Sequence, residues 1–162
     1  MRVLVCGSRT YPDEMFVWSV LSGLYQAHDV GWQVDHLTPF IVISGGATGA
    51  DSFAKSWCEN SPLHGPLLGR DKPNYDDRVT PVQHLEFPAD WRKHGNAAGP
   101  IRNKQQLVEG QPELGLAFID KPLLESRGTH DMVRRLIEAG VLAHILLGQF
   151  PPKPIPLQPK GI

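Results

Sequence analysis

The stretch of residues 41–51 reads I-V-I-S-G-G-A-T-G-A-D and carries the clearest structural signal of the sequence. Its apolar, β-branched first half predicts a strand, and the glycine-rich turn that follows leads directly into a helical pattern. Backbone N–H groups left free at a helix start, backed by the positive end of the helix dipole, form a binding site for an anion. The stretch therefore predicts a phosphate-binding loop, with candidate ligand-binding residues Ser44, Gly45, Gly46, Ala47, Thr48, Gly49 and Asp51.

Short apolar runs alternate with helical patterns on both sides of this loop. Strands are predicted over residues 2–6, 40–43, 82–87, 114–119 and 141–147. Helices are predicted to begin near residues 12, 50, 99 and 127, with Gly140 ending the last one. The alternation predicts an α/β fold with a mostly parallel sheet of about five strands and helices on both faces. Ligands of such sheets bind at the carboxyl ends of the strands.

The 162 residues suit a single domain over 1–147. Within it, residues 61–81 lack periodicity and predict a long loop insertion, and the proline-rich residues 148–162 predict an extended or disordered tail. Residues 90–95 are interpreted as a connecting segment, after which the third helix is expected to turn Ile101 and Val108 inwards.

Composition narrows the classes of function. The net charge of −1 gives no long-range attraction to nucleic acid or membrane. No apolar stretch reaches the roughly 18 residues of a membrane span, and no signal peptide precedes the first strand, so a cytoplasmic protein is expected. The two cysteines predict buried or half-buried thiols, and the seven histidines lack metal-ligand spacing. We therefore expect no metal and no cofactor.

Three further loops are expected at the same sheet edge. In the first, Gly7 permits close approach, Ser8 donates hydrogen bonds and Arg9 can bind a phosphate or carboxylate, although an ordinary turn with a solvated arginine fits too. In the second, Arg102 and Asn103 lie in the first turns of a helix, where a cation opposes the helix dipole. The cation at this helix start is explained either by an anionic partner or by a solvated basic face.

The third loop carries Gly128, Thr129 and Asp131 before a helix. Asp131 is either a helix-start acid or a ligand contact, and Asp51 either caps free N–H groups, orders its loop or holds a ribose hydroxyl. Trp91 is either a base-stacking platform or a core residue. No Gly-Lys-Ser/Thr follows the loop at 44–49, and the dinucleotide fingerprint is absent, so neither a P-loop nor a standard dinucleotide site is predicted.

Four segments resemble the SLOG superfamily, the Rossmann-like group that includes the Lonely Guy phosphoribohydrolases and the DprA single-strand-DNA loaders. They are V-C-G-S-R (5–9), I-S-G-G-A-T-G-A-D (43–51), F-P-A-D-W-R-K-H-G-N-A-A-G-P-I-R-N (87–103) and R-G-T-H-D-M-V (127–133). The chain is most similar to the YspA-like, cpYpsA-related branch of bacterial and phage proteins. This resemblance implies a Rossmann-like fold, a nucleotide or nucleotide-derived ligand held by the four loops, and a homodimer.

The Lonely Guy enzymes carry a P-G-G-x-G-T-x-x-E motif whose glutamate helps to cleave an N-glycosidic bond. At the matching position this chain has Met132, although Arg102 is a counterpart of the enzymes' arginine. The leading hypothesis is therefore a nucleotide sensor or ligand-binding module. One alternative is a nucleoside 5′-monophosphate N-glycosidase with Arg102 and Asp131, or Glu125, as catalytic residues. Another is a DprA-like single-stranded-DNA-binding protein that uses Trp91 beside the cations Arg92, Lys93 and Lys104.

Overall fold

Strands and helices alternate along residues 1–29, 38–60 and 80–148, which are the residues that the computed structural model describes. The strands are β1 (Arg2–Gly7), β2 (Phe40–Ser44), β3 (Val82–Glu86), β4 (Leu114–Ile119) and β5 (Leu142–Leu147). The helices are α1 (Glu14–Asp29), α2 (Ala50–Asn60), α3 (Trp91–His94), α4 (Ala98–Val108) and α5 (Arg127–Glu138), with 3₁₀ turns at Gly95–Ala97 and Leu123–Glu125. Most of the predicted loop 61–81 and all but the first residue of the predicted tail lie outside the described residues.

All the strand pairs are parallel, and the strand order is β3-β2-β1-β4-β5. The chain moves outwards from β1 to β3 and then returns to add β4 and β5 on the other side of β1. The order therefore reverses between β1 and β4, where Gly7 lies opposite Phe118. A reversal of this kind leaves a crevice at the carboxyl ends of the two strands. The predicted α/β fold and parallel sheet are confirmed.

Both faces of the sheet are covered by helices, as the uninterrupted apolar run of β1 requires. Successive side chains of a strand point to opposite faces, so Val3 and Val5 belong to one core and Leu4 and Cys6 to the other. The first core includes side chains of α1 and α2, and the second includes Met132, Val133 and Leu136 of α5. Cys6 and Cys58 are buried free thiols, as predicted.

Two predicted features are wrong. Residues 90–95 are not merely a connection, because the Asp90 carboxylate accepts a hydrogen bond from the Lys93 N–H and caps the short helix α3. Ile101 and Val108 do not face inwards, since they are 44% and 60% exposed. The inner face of α4 is polar because it borders a cavity, which a pattern of apolar spacing cannot reveal.

The helix ends follow the sequence signals closely. Asp13 lies just before α1 and accepts a hydrogen bond from the Phe16 N–H at 2.9 Å. Gly140, with a φ of 73°, follows α5 and ends it as predicted. Among the described residues, no helix has the length and apolar character that crossing a membrane requires.

Candidate functional site

A cavity of about 550 Å³ lies beside the carboxyl end of β1, where the strand order reverses. This volume is in the range of small-molecule sites. Four segments form its walls: the turn after β1, the loop after β2, the α3–α4 region and the segment from β4 into α5. The residues that line it are Cys6, Gly7, Arg9, Thr10, Ala47, Asp51, Trp91, Asn96, Gly99, Pro100, Arg102, Asn103, Gln106, Lys121, Glu125, Ser126, Arg127, Gly128, Thr129 and Asp131.

The four loops singled out in the sequence therefore meet at one cavity. The candidate residues on its wall are Gly7, Arg9, Ala47, Asp51, Trp91, Arg102, Asn103, Glu125, Gly128, Thr129 and Asp131. The other candidates do not line the cavity: Ser8, Ser44, Gly45 and Gly49 are buried, and Gly46 and Thr48 are exposed elsewhere. Their contacts are within the protein, as described below.

Backbone N–H groups of the loop after β2 are hydrogen-bonded to a carboxylate of the protein itself. Asp51 Oδ2 accepts hydrogen bonds from the Gly45 N–H at 2.9 Å and the Ala47 N–H at 3.4 Å. Arg102 Nη1 donates to the Gly45 carbonyl at 2.7 Å and lies 4.0 Å from Asp51 Oδ2. Two N–H groups of the predicted phosphate-binding loop are thus already hydrogen-bonded to the carboxylate of Asp51. Of the roles considered for Asp51, these bonds show that it orders the loop.

Asp51 is also an unusual acid. Its side chain lies on the cavity wall, yet the residue is only 4% exposed. Burial raises its pKa to about 6, although Arg102 and the N–H groups of Gly45 and Ala47 act in the opposite direction. A change of pH between about 5 and 7 therefore changes the charge of this wall.

The glycines of this loop are required by internal packing. A Cβ on Gly45 would overlap the guanidinium of Arg102. Gly49 has a φ of 78°, and a Cβ there would overlap the carbonyl oxygen of Ser8. The loop after β2 is therefore packed tightly against both α4 and the turn after β1.

Hydroxyl side chains that do not line the cavity connect neighbouring segments by hydrogen bonds. Ser44 Oγ is hydrogen-bonded to His84 Nε2 of β3 at 2.9 Å. Thr48 Oγ1 donates to the carbonyl of Arg9 at 3.2 Å. Ser8 Oγ accepts a bond from the backbone N–H of Asp120, at the end of β4. These three hydroxyls hold the loops in register.

A chain of hydrogen bonds crosses the wall from α4 to α5. Arg102 Nε donates to Asn103 Oδ1 at 3.0 Å. Asn103 Nδ2 donates to the carbonyl of Gly128 at 3.1 Å and to Asp131 Oδ2 at 3.0 Å. Arg102, Asn103 and Asp131 are thus fixed relative to one another, so that the starts of both helices act as one rigid unit.

Asp131 is held by two arginines. Arg134 and Arg135 bind it at 2.9 and 2.8 Å, respectively. Burial alone would raise the Asp131 pKa, but hydrogen bonds from Arg135, Asn103 and Arg134 outweigh it and keep this pKa below its usual value. The neighbouring Met132 is buried in the core. The carboxylate on the cavity side of this helix turn is therefore Asp131.

The rim of the cavity combines an aromatic ring with positive charge. The guanidinium carbon of Arg9 lies 5.3 Å from the centroid of the Trp91 ring, within the range of a cation–π contact. Trp91 is 49% exposed, so it is not a core residue. Lys121 and Arg127 also line the cavity.

Two amides of the site were missed by the sequence argument. Asn96 and Gln106 line the cavity, and Gln106 is among the buried polar residues. The signal was present, since Gly99, Asn103 and Gln106 recur at the spacing of one helix face. Over 1–29, 38–60 and 80–148, no cluster of three or more His, Cys, Asp or Glu side chains could hold a metal ion.

Comparisons with known proteins found a matching family model and a phage relative. Residues 1–64 match the model of a family described as YspA, cpYpsA-related SLOG family. The Gene 61 protein of Mycobacterium phage D29 is 33% identical over 142 residues, which are 86% of this chain and 91% of the phage protein. No solved structure matches the chain.

Proposed function

The chain belongs to the YspA, cpYpsA-related SLOG family, and from that premise we propose that it binds a nucleotide or nucleotide-derived ligand as a sensor module. One observation carries the proposal: a cavity at the strand-order reversal presents an arginine–tryptophan pair at its rim and a fixed arginine on its wall. Cations bind phosphate, and an aromatic ring stacks on a base, so these groups suit both ends of a nucleotide.

We assign the phosphate to Arg102 and the start of α5. Nε and Nη1 of Arg102 are engaged by Asn103 and Gly45, which holds the guanidinium in place, and these contacts leave Nη2 for a ligand. Gly128 and Thr129 line the cavity beside Asn103, at the N-terminus of α5, where backbone N–H groups favour an anion. A Cβ on Gly128 would contact nothing, so a ligand can approach that backbone.

The loop after β2 has a different part in this proposal. Its N–H groups at Gly45 and Ala47 already bind Asp51, so the loop positions Arg102 and the cavity wall and need not touch the phosphate. This modifies the expectation from sequence, in which Gly45, Gly46 and Gly49 hold the phosphate directly. The rim pair of Arg9 and Trp91 covers the sugar or the base.

Calorimetric titration with the four common nucleoside 5′-monophosphates and nicotinamide mononucleotide tests the proposal. We expect saturable one-site binding of at least one of them, accompanied by a higher melting temperature in its presence. If none binds at millimolar concentration, nucleotide sensing by this cavity is excluded. Salt-sensitive binding of an oligonucleotide in place of the monomers would support the DNA-binding alternative.

A second candidate function is hydrolysis of the N-glycosidic bond of a nucleoside monophosphate. The observation that favours it is the ionised Asp131 on the cavity wall, which could stabilise an oxocarbenium-like ribosyl cation while Arg102 holds the phosphate. Asp131 shares its charge with Arg134 and Arg135, which weakens it for that purpose, and binding alone is therefore the first proposal.

Chromatography of the nucleotide mixtures separates the two functions. Release of free base by the wild type, lost in Asp131→Asn, would establish the hydrolase. Asp131→Asn keeps the size of the side chain and its ability to accept a hydrogen bond from Asn103, so it removes mainly the charge. A bound nucleotide that stays intact over a day of incubation would leave the sensor as the function.

A further inference from the structure

One buried polar side chain of the cavity makes no hydrogen bond to the described residues. Gln106 lines the cavity and is only 2% exposed, and within the described ranges its carboxamide makes no hydrogen bond. The neighbouring Gln105 is exposed and donates to Glu109 at 3.2 Å. The two consecutive glutamines of α4 therefore differ in both burial and bonding.

A carboxamide that is almost completely buried keeps few hydrogen bonds to water, and most buried polar groups have a partner within the protein. The polar atoms of Gln106 are not among those that are fully buried without a partner, so the carboxamide stays accessible from the cavity that it lines. A ligand that supplies a donor and an acceptor there would replace water at this amide.

The position of Gln106 along α4 defines which part of the ligand it meets. Gly99, near Trp91 at the rim, and Gln106 are seven residues apart, which corresponds to two turns or about 10 Å of helix. Arg102 lies one turn before Gln106 and already bonds Gly45 and Asn103. Cys6, which also lines the cavity, is a buried free thiol. Because its carboxamide carries no charge, Gln106 suits an uncharged part of the ligand.

We propose that Gln106 determines the specificity of this cavity by pairing with a flat ligand edge that carries one hydrogen-bond donor beside one acceptor. A carboxamide offers a donor and an acceptor in one plane, so it can make two parallel bonds to such an edge, as glutamine does with adenine. A nucleobase or a ring carboxamide has this chemistry. The inference rests on the proposed nucleotide binding and adds the group that selects the base.

Titration of the wild type and Gln106→Leu tests the inference with two kinds of probe. The five nucleotides above carry a donor–acceptor edge, whereas ribose 5-phosphate has the sugar and phosphate without it. We expect Gln106→Leu to weaken the tightest nucleotide about tenfold or more and to leave ribose 5-phosphate unchanged. Which nucleotide is tightest, a base monophosphate or nicotinamide mononucleotide, distinguishes the two sources of the edge.

Two controls keep the test decisive. Gln105→Leu changes the exposed neighbour and should leave all affinities unchanged. Ligand-free Gln106→Leu should melt no lower than the wild type, because an apolar side chain of similar size replaces an unpaired amide. A lower melting temperature, or unchanged nucleotide affinity in Gln106→Leu, would overturn the inference. Absence of any binding by the wild type would overturn the proposed function and this inference together.

Discussion

The two glycine-containing segments on either side of the cavity use glycine for opposite reasons. Residues 44–49, after β2, are filled from within, since Asp51 occupies their N–H groups and Arg102 lies where a Cβ of Gly45 would be. Residues 126–129, at the start of α5, are open, and a Cβ on Gly128 would contact nothing within 4 Å. The first segment is packed and the second is accessible.

A glycine-rich turn before a helix therefore has two possible meanings: close packing within the protein or access for a ligand. Glycine is required where another part of the protein comes close, as at Gly45 and Gly49, and it is also found where a ligand approaches. The sequence cannot separate the two cases, because both give the same strand–glycine–helix pattern. Substitution by alanine separates them, since it affects stability in the packed segment and ligand affinity in the open one.

The largest expected effect is that of Gly49→Ala in the packed segment. Its positive φ strains any residue with a Cβ, and the added methyl would overlap the carbonyl of Ser8. We expect the free energy of unfolding to fall by at least about 2 kcal/mol, measured by urea denaturation. Gly23→Ala in α1, where a Cβ meets nothing, is the matched control and should raise stability by about 0.5 kcal/mol. Equal stability of both variants would contradict the packed state of this loop.

The second prediction concerns the carboxylate that fills the loop. Because the Asp51 pKa is raised to about 6 in the folded state, the folded chain binds more protons than the unfolded chain between about pH 4 and 6. The contribution of Asp51 to stability therefore decreases as the pH rises through this window. Asp51→Asn cannot titrate, so its stability relative to the wild type should increase by about 2 kcal/mol from pH 4.5 to 7.5. A pH-independent difference in denaturation midpoints would show that Asp51 is not desolvated in this way.

The smallest expected effect on stability is that of Gly128→Ala in the open segment. The residue lies in the first turn of α5 and has free space around it, so stability should stay within about 0.5 kcal/mol of the wild type. The methyl group would enter the space of a bound phosphate, and nucleotide affinity should fall about threefold to tenfold. If Gly128→Ala strongly lowered stability and left nucleotide affinity unchanged, residues 126–129 would be packed within the protein rather than open to a ligand.

The sequence predicted the five strands to within one residue at each end, because both faces of the sheet are covered and its strands are rich in β-branched and other apolar residues. It failed on α4, where Asn103 and Gln106 point to a cavity. Polar residues on a cavity wall have the same pattern as a solvated face, so the apolar Ile101 and Val108 were assigned to the interior.

The sequence predicted which loops meet at the candidate site but not the contacts between their side chains. The convergence of the turns after β1 and β2 with the starts of α4 and α5 follows from a parallel sheet. The contact between Arg102 and Gly45 does not follow, since these residues are 57 positions apart, whereas Asp51 is only six positions from Gly45 and its role in ordering the loop was among those considered. Met132, at the position of the Lonely Guy glutamate, is buried, whereas Asp131, one residue earlier and about 100° away around the helix, lines the cavity.

Nucleotide binding in the cavity is tested most directly by calorimetric titration of the wild type, Arg102→Ala and Lys104→Ala. The ligand is whichever of the five nucleotides binds the wild type most tightly. Arg102 lies on the cavity wall, whereas Lys104 is an exposed cation of the same helix outside it. We predict saturable binding by the wild type and Lys104→Ala, and a loss of affinity of at least about tenfold in Arg102→Ala. Equal affinity of Arg102→Ala and the wild type would contradict nucleotide binding in this cavity.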